Sequence, residues 1–387
     1  MGQYFIADGR LYCRNQQGEI QEFESPFVQE KAERTNKHNT ASGWKSQGSP
    51  GNPYWNSSVV WGNQAAGRSV SGFRFNHIVA ASPNMLYYTL SNFGVTGLFE
   101  YDIKEQFETR LFHKNDFREE GFDYSSQRNE FVMAVWNDDG SCSLRMLDAR
   151  GSGRTILTDG DSRDSNPSFS RKNHQHILFQ SAGVARSEEG GVFMYGPEAI
   201  HRLDMDKNEV SDILSDPQYD YVLPKEDSQG NIYCIRRPFH GPSTQTIFHT
   251  IKNIILFPFH FVLAIFNFLE TFTRLFNQKA FKADGPNVQA PQNNKYVQIM
   301  GQTIDVAKSS KAYALNNEPS LVPANWELIC LRSDGRQEVL ARRAAYFDVD
   351  AAGNVVFTNG YRVQSLDNAT QKVDFRHNLI QEVHINI

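Results

Sequence analysis

The chain lacks the short motifs by which many enzymes are recognised. Its 387 residues contain no P-loop, GxGxxG, HExxH, GxSxG or CxxC pattern. These absences exclude the nucleotide, zinc and thiol-redox sites that leave a local signature, and we expect no metal and no cofactor. A catalytic site assembled from separate strands leaves no such signature, so an enzyme stays open as an alternative.

Runs of like charge and an export signal are also missing. The formal net charge is −5, and a nucleic-acid surface would need clustered Lys and Arg, so nucleic acid is not an expected partner. The N-terminal residues have no basic stretch followed by an apolar one. Cysteine is scarce, and Cys13, Cys142, Cys234 and Cys330 lie far apart in apolar contexts. We therefore expect a cytoplasmic protein whose cysteines are free, buried thiols.

Two phrases of strand, turn and strand recur along the chain. In the first, an apolar strand ends at Leu-Asp or an equivalent, and a polar turn leads to another strand. Its copies are RLYCRNQQGEIQEF, GLFEYDIKEQFETRLF, SLRMLDARGSGRTIL, AIHRLDMDKNEVSDIL, ELICLRSDGRQEVL and YRVQSLDNATQKVDF. The second ends in an aromatic-rich strand, and its copies are NHIVAASPNMLYYTLSN, GFDYSSQRNEFVMAVW, NPSFSRKNHQHILFQS, DYVLPKEDSQGNIYCI and YFDVDAAGNVVFTNG. Together they give about four strands per unit, as in the blade of a β-propeller.

One stretch carries a family resemblance. The segment DSNPSFSRKNHQHILFQS, from Asp164 to Ser181, resembles the Asp-x-x-Pro-x-aromatic-Ser repeat of TolB-like propellers. The resemblance implies a fold and no activity. We predict an all-β, six-bladed β-propeller as a single domain over residues 1–387, with a hydrophobic α-helical insertion. The C-terminal strands KVDFRH and LIQEVHINI are expected to complete the blade that YFIADGRLYC begins, which would leave no exposed edge there.

A first insertion, residues 24–72, interrupts the repeat. It is rich in Gly, Ser and Asn but also contains Trp44, Tyr54, Trp55 and Trp61. A pure linker would have few aromatic residues, so we expect an ordered loop over a propeller face. These four rings are candidates for stacking on a sugar, a base or a peptide. The alternative is that they plug the central channel or cover a blade.

A second insertion, residues 240–322, contains a predicted hydrophobic helix over residues 244–278. Its polar positions recur every seventh residue and form a narrow stripe on an apolar cylinder. The stripe consists of Thr246, Asn253, His260, Asn267 and Arg274. The charge-free run, 253–269, is short for a bilayer span, which takes about 20 apolar residues, and a single crossing would divide a blade.

The apolar face of this helix is therefore predicted to dock on a surface. The docking positions are Ile247, Phe248, Ile251, Ile254, Ile255, Phe257, Phe259, Phe261, Val262, Ile265, Phe266, Phe268, Leu269, Phe272 and Phe276. A membrane surface, a protein partner or a second copy of the chain, and internal packing on the propeller are the three alternatives. Arg236 and Arg237 precede the insertion and are candidates for lipid head groups, with ordinary salt bridges as the alternative.

These features predict a non-catalytic binding scaffold that docks to a membrane surface or a membrane-associated partner through its helix. Such a protein would be cytoplasmic and peripheral at the inner membrane. The alternative is a hydrolase or lyase that acts on a glycan or a peptide at the central channel. An enzyme should bring three or more Asp, Glu or His side chains together above a pocket, whereas a scaffold should have an apolar or plugged channel.

Overall fold

A computed structural model describes eight stretches of the chain. They are residues 3–42, 72–92, 94–153, 155–186, 190–239, 296–315, 318–367 and 370–385. The aromatic candidates Trp44, Tyr54, Trp55 and Trp61 lie outside them, as does the docking helix predicted over 244–278. The predictions for those residues therefore stay predictions.

The described residues are mostly β, with 27 strands and two helices. One four-stranded sheet joins the two ends of the chain: β27 (Ile380–Val383), β1 (Gln3–Ala7), β2 (Arg10–Arg14) and β3 (Ile20–Glu22). A second is formed by β4 (Arg74–Ser82), β5 (Met85–Asn92), β6 (Val95–Asp102) and β7 (Phe107–Asn115). A third is formed by β17 (Tyr219–Glu226), β18 (Ile232–Pro238), β21 (Glu327–Leu331) and β22 (Gln337–Arg342). A fourth is formed by β23 (Tyr346–Val349), β24 (Val355–Thr358), β25 (Arg362–Asp367) and β26 (Thr370–Arg376).

The remaining large sheet has nine strands and consists of two antiparallel units. One unit contains β8 (Glu119–Ser125), β9 (Glu130–Trp136), β10 (Cys142–Asp148) and β11 (Thr155–Ile156). The other contains β12 (Ser162–Phe169), β13 (His176–Arg186), β14 (Val192–Tyr195), β15 (Ala199–Asp204) and β16 (Glu209–Leu214). A single parallel bridge, Cys142 to Arg163, joins them. A separate two-stranded hairpin consists of β19 (Tyr296–Ile299) and β20 (Gln302–Asp305).

The recurring phrases of the sequence correspond to hairpins of these sheets. Copies of the first phrase form the outer pairs β2–β3, β6–β7, β10–β11, β15–β16, β21–β22 and β25–β26. Copies of the second form the inner pairs β4–β5, β8–β9, β12–β13, β17–β18 and β23–β24. The repeat therefore predicted these strands and hairpins, and the structure adds their order within each sheet.

The two ends of the chain meet in one sheet, but only one of the two predicted C-terminal strands takes part. Strand β27, within LIQEVHINI, pairs with β1 and aligns Phe5 with Val383. KVDFRH was assigned wrongly, because it forms most of β26, the outer strand beside β25. Its alternating pattern suits the edge of either sheet, so the pattern alone does not choose between them.

The first insertion begins with a helix that the sequence analysis did not predict. Helix α1 (Pro26–Ser42) follows β3, and its start is fixed on β7, where Glu108 accepts hydrogen bonds from Ser25 Oγ at 2.6 Å and Phe27 N at 2.7 Å. Helix α2 (Val306–Ala312) follows β20, and Asp305 caps it by accepting from the N–H of Lys308.

The first strands of the units pack against one another. β4 contacts β8, β8 contacts β12, β12 contacts β17, β17 contacts β23, and β23 contacts β27. β27 is joined to β4 because Glu382 Oε1 accepts a hydrogen bond from the N–H of Ile78 at 2.9 Å. Apolar side chains from different sheets fill the space between them, as in the cluster that contains Phe5, Val222 and Phe347.

Candidate functional site

A line of alternating charges runs across five units, close to where their first strands meet. We call it the charge chain, and its members in order are Lys225, Asp348, His384, Glu382, His77 and Glu119. Lys225 Nζ lies 2.5 Å from Asp348 Oδ1, whose Oδ2 is 3.6 Å from His384 Nδ1. His384 Nε2 lies 2.7 Å from Glu382 Oε1.

The charge chain continues through the second carboxylate oxygen of Glu382. That oxygen, Oε2, lies 3.1 Å from His77 Nδ1, and His77 Nε2 is 3.7 Å from Glu119 Oε2. The Glu119 side chain has no exposed surface, while 22% of the His77 side chain is exposed. Three cationic groups thus alternate with three carboxylates in a largely dry environment.

Bulges in the first strands place these side chains. The register of β4 shifts between Phe75 and Ile78, and that of β8 shifts between Glu119 and Phe122. Residues in a regular strand point alternately to opposite faces, but a bulge re-aims one of them. Neighbouring glutamates can therefore reach different partners: Glu119 contacts His77, and Glu120 contacts Arg163.

The same bulge recurs in β12 and β17. There the register shifts between Ser165 and Ser168 and between Val222 and Lys225. Each bulge contains a proline, at Pro167 and Pro224, which suits a position where the sheet needs no N–H donor. The Asp-x-x-Pro part of the sequence repeat is thus explained in β12, because the proline occupies the bulge.

The neighbours in the charge chain displace pKa values strongly. Burial alone would lower the pKa of His77, but the carboxylates of Glu119 and Glu382 raise it to about 9. Burial would raise the pKa of Glu382, yet His77 and His384 lower it to about 2. Lys225 and His384 likewise hold the pKa of Asp348 well below its usual range. The pairing of opposite charges therefore shifts the pKa values of His77, Glu382 and Asp348 in the directions that favour their charged forms.

A second group of charges lies beside it, around two arginines. We call it the arginine cluster, and its members are Glu120, Arg163, Glu198, Asp220 and Arg237. Arg163 is paired with Glu120, and its Nη1 lies 3.2 Å from Glu198 Oε1. Arg237 Nε lies 3.1 Å from Asp220 Oδ2. The Asp220 carboxylate also accepts a hydrogen bond at 3.0 Å from the N–H of Glu198, which links the two halves.

Glu198 is the member whose charge is not fully matched. It is buried, and within the described residues its Oε2 has no hydrogen-bond partner. Burial raises the pKa of Glu198 to about 7, although Arg163 opposes the shift. The cluster contains three carboxyl groups and two guanidinium groups. Protonation of Glu198 would therefore match the number of carboxylates to the number of guanidinium groups.

Aromatic rings cover the guanidinium groups of the cluster. Arg163 lies 5.5 Å from the ring centres of both Trp136 and Tyr195, and Arg237 lies 4.8 Å from that of Trp326. Such contacts stabilise a buried cation. Burial lowers the pKa of Arg237 despite the Asp220 carboxylate.

The two head-group candidates are placed differently. Arg237 is 5% exposed and belongs to the arginine cluster, so its placement argues against a contact with lipid. Arg236 is paired with Glu327, and its guanidinium lies 5.1 Å from the Tyr219 ring. The salt bridges considered as the alternative are present for both residues. The prediction that the cysteines are free and buried is confirmed for Cys142, Cys234 and Cys330, while Cys13 is half-buried.

A surface cavity of about 410 Å³ lies away from the charge chain. Asp139, Asp161 and Arg186 line part of it. Arg186 contacts Asp139 at 3.1 Å and Asp161 at 2.6 Å, so the two carboxylates are already engaged. Within the described stretches, no group of three or more His, Cys, Asp or Glu side chains is arranged to hold a metal ion. No helix there is long and apolar enough to span a bilayer.

Reasoning from the sequence missed the residues of the charge chain. His77 and Glu382 are 305 positions apart, so no local motif brings them together. Two weak signals were available. One is the polar residues inside otherwise apolar first strands, such as His77 in NHIVAAS, and the other is the prolines that mark the bulges.

Comparisons with known proteins agree with the mostly-β, propeller-like architecture. No protein-family model matches the chain, and no curated protein matches it. Similar solved structures include TolB from Acinetobacter baumannii, 10% identical, which covers 99% of this chain and 64% of that chain at a TM-score of 0.46. This chain thus spans less than two thirds of that TolB structure.

Two further similar structures have different names. The nidogen/laminin complex structure is 9% identical and covers 100% of this chain and 98% of that chain, at a TM-score of 0.47. Oligogalacturonate lyase in complex with manganese is 10% identical and covers 76% of this chain and 63% of that chain, at a TM-score of 0.39. The predicted resemblance to TolB-like propellers is confirmed as a resemblance of fold only.

Proposed function

We propose that the protein is a non-catalytic β-propeller scaffold that binds a protein or small ligand and docks to a membrane surface or a membrane-associated partner. The pairing within the charge chain carries the non-catalytic part of this proposal. A general acid or base works best when its pKa lies near the operating pH. The pKa of His77 is about 9 and that of Glu382 about 2, so neither group is poised for proton transfer at pH 7.

The scaffold itself is proposed to have six blades. Its support is the order of contacts among first strands, which runs from β4 through β8, β12, β17 and β23 to β27, and returns to β4 through Glu382. The charge chain ties five of these strands together, and its Glu119 end adjoins Glu120 of the arginine cluster. On this proposal, the charges at the centre serve to hold the blades in place.

Docking is proposed to use the apolar segment over 244–278. The described chain leaves the sheet at Phe239, after β18, and resumes at Tyr296, where β19 begins. The segment is therefore an insertion between two strands of one sheet and can be removed without interrupting the repeat. A membrane surface is the favoured target because the segment is rich in Phe and is followed by Arg and Lys.

Liposome flotation tests the docking proposal. The full chain and a variant lacking residues 241–289 are mixed with vesicles of phosphatidylcholine and anionic phosphatidylglycerol. We expect the full chain to float with the vesicles and the deletion variant to stay in the dense fraction. If both stay there as monomers, membrane docking and self-association are both wrong. An oligomer that does not float would favour self-association instead.

A second candidate, a hydrolase or lyase acting on a glycan or a peptide, is favoured by two observations. The charge chain brings five Asp, Glu and His side chains together, as expected of an enzyme, although the cavity of about 410 Å³ lies elsewhere. The second observation concerns Glu198. Glu198 is buried, has an oxygen without a partner among the described residues, and has a pKa of about 7, which suits a general acid. A panel of oligosaccharides and peptides would be incubated with the wild type and with Glu198→Gln. Turnover that is lost in Glu198→Gln, with a pH–rate profile that bends near 7, would replace the scaffold proposal.

A further inference from the structure

The β19–β20 hairpin stands apart from the sheets it lies on. Its two strands pair only with each other among the described strands. Met300 and Gly301 connect them in a two-residue turn with φ of 45° and 73°, as a tight turn of the type I′ kind requires. A two-stranded hairpin is marginally stable alone in water, so the contacts it makes with other parts of the molecule keep it in place.

Besides a hydrogen bond at 3.3 Å from Gln381 Nε2 to Gln298 O, the hairpin makes two kinds of contact. The side chains of Val297, Ile299 and Ile304 are buried and belong to the largest apolar cluster. The turn is held by the arginine cluster, since Met300 O accepts a hydrogen bond from Arg237 Nη1 at 2.8 Å. Gly301 lies so close to Arg163 that an added Cβ would be 3.1 Å from Nη2.

Removing the hairpin would break no strand ladder of the sheets. Displacing β18 or β21 would break backbone hydrogen bonds on both sides, whereas the hairpin is attached through side chains and the chain itself. Local elements can open at a lower free energy than the whole domain. The hairpin has no backbone ladder to the sheets, so its opening has to expose Val297, Ile299 and Ile304 but breaks no strand pairing of the sheets. Opening would also remove the acceptor of Arg237 Nη1 and expose the guanidinium of Arg163 beside the turn.

We propose that the β19–β20 hairpin is a detachable cover of the arginine cluster, which opens as a unit while the sheets stay folded and thereby uncovers Arg163 and Arg237. The proposal concerns only the described residues and holds whether or not the inserted segment docks to a membrane. On this proposal, the arginine cluster is covered while the turn contacts Arg163 and Arg237, and it is accessible to solvent when the hairpin is displaced.

Hydrogen exchange measured by mass spectrometry on the intact protein, without vesicles, tests the opening. Gly301→Val strains the turn, because its φ of 73° disfavours a β-branched residue and the added Cβ crowds Arg163. We expect peptides from 296–305 to exchange at least about tenfold faster than in the wild type, with no change over 346–358 in β23 and β24.

Gly335→Val is the matched control. Gly335 also has a positive φ, 88°, and lies in the turn between β21 and β22, but a Cβ there meets nothing within 4 Å. It should leave the exchange of 296–305 unchanged. Arg237→Ala attacks the same contact from the other side and should accelerate the same peptides. If it proves unfolded, Gly301→Val alone decides, because the hairpin lies outside the sheets.

Modification by phenylglyoxal, which reacts with accessible arginines, tests the covering. Arg163 and Arg237 should be protected in the wild type and in Gly335→Val, and modified in Gly301→Val. Equal modification in all three proteins would overturn the proposal, as would exchange over 296–305 that proceeds only with global unfolding. Neither result bears on flotation, so failure of the cover and failure of membrane docking are distinguishable.

Discussion

The charge chain and the arginine cluster are neighbours that both include residues of β8 and β17, yet they are balanced differently. In the charge chain, three cations alternate with three carboxylates, and each interior member contacts two partners. In the arginine cluster, two guanidinium groups face three carboxylates, and Glu198 keeps an oxygen without a partner among the described residues. Burial alone therefore does not set a pKa. The fully paired His77 and Glu382 have pKa values of about 9 and about 2, whereas the incompletely paired Glu198 has a pKa of about 7.

The largest expected effect comes from breaking the charge chain at its middle. Glu382→Gln preserves the shape of the side chain but removes the carboxylate that lies between His77 and His384. Because two buried cationic groups lose their shared partner, we expect the free energy of unfolding to fall by about 3 kcal/mol. Urea denaturation at pH 6 measures it. A loss below about 1 kcal/mol would mean that the charge chain contributes little to the stability of the fold.

The next effect is a dependence of stability on pH that belongs to His77. Its pKa rises from 6.5 to about 9 on folding, so its contribution is complete below pH 6.5 and is lost as the pH rises to 9. Over that interval the wild type should lose about 2–3 kcal/mol more than His77→Gln. Parallel curves for the two proteins in urea denaturation at several pH values would contradict the assignment.

A smaller effect on stability, in a lower pH range, is expected from the arginine cluster. The pKa of Glu198 rises from 4.5 to about 7 on folding, so ionising this buried carboxyl costs stability progressively between those values. Compared with the wild type, Glu198→Gln should gain about 1–3 kcal/mol as the pH rises from 4.5 to 7, and nothing further above. The same denaturation series detects it, and a gain that continues to pH 9 would point to another group.

The smallest effect is expected where a pair is exposed. Glu338 Oε2 lies 2.7 Å from Arg332 Nη2 on the outer hairpin β21–β22, with 42% and 35% of the side chains exposed. Glu338→Gln should leave the free energy of unfolding unchanged within the error of urea denaturation, because solvent screens an exposed pair. Measured beside Glu382→Gln, it separates the effect of burial from that of removing a charge.

The sequence predicted the strands far better than the charges. Both phrases of the repeat became hairpins because alternation and turn residues are local properties of the chain. The prediction for the C-terminal strands was only partly right. KVDFRH and LIQEVHINI both alternate apolar and polar residues, and tertiary packing decides which strand each one pairs with. Helix α1 was missed because its composition is polar and carries no clear apolar stripe.

The charge chain lay beyond prediction for a different reason. Contact between His77 and Glu382 depends on how the first strands of two units approach, and no spacing in the chain encodes that approach. Once the bulges are known, the prolines at 167 and 224 are understandable, but a proline alone does not reveal which neighbouring side chain turns inward. The docking helix and the aromatic loop lie outside the described residues and stay predictions.

The pairing of β1 with β27 has a consequence for synthesis on the ribosome. Strand β1 is synthesised before the other described strands, but β27, which carries Glu382, is synthesised after them. Until then, the N–H of Ile78 lacks its acceptor and His77 lacks one of its two carboxylates. Until β27 is made, the nascent chain therefore holds an incomplete assembly in which β1 is paired with β2 on one edge and unpaired on the other, and a chaperone would be most useful during that interval.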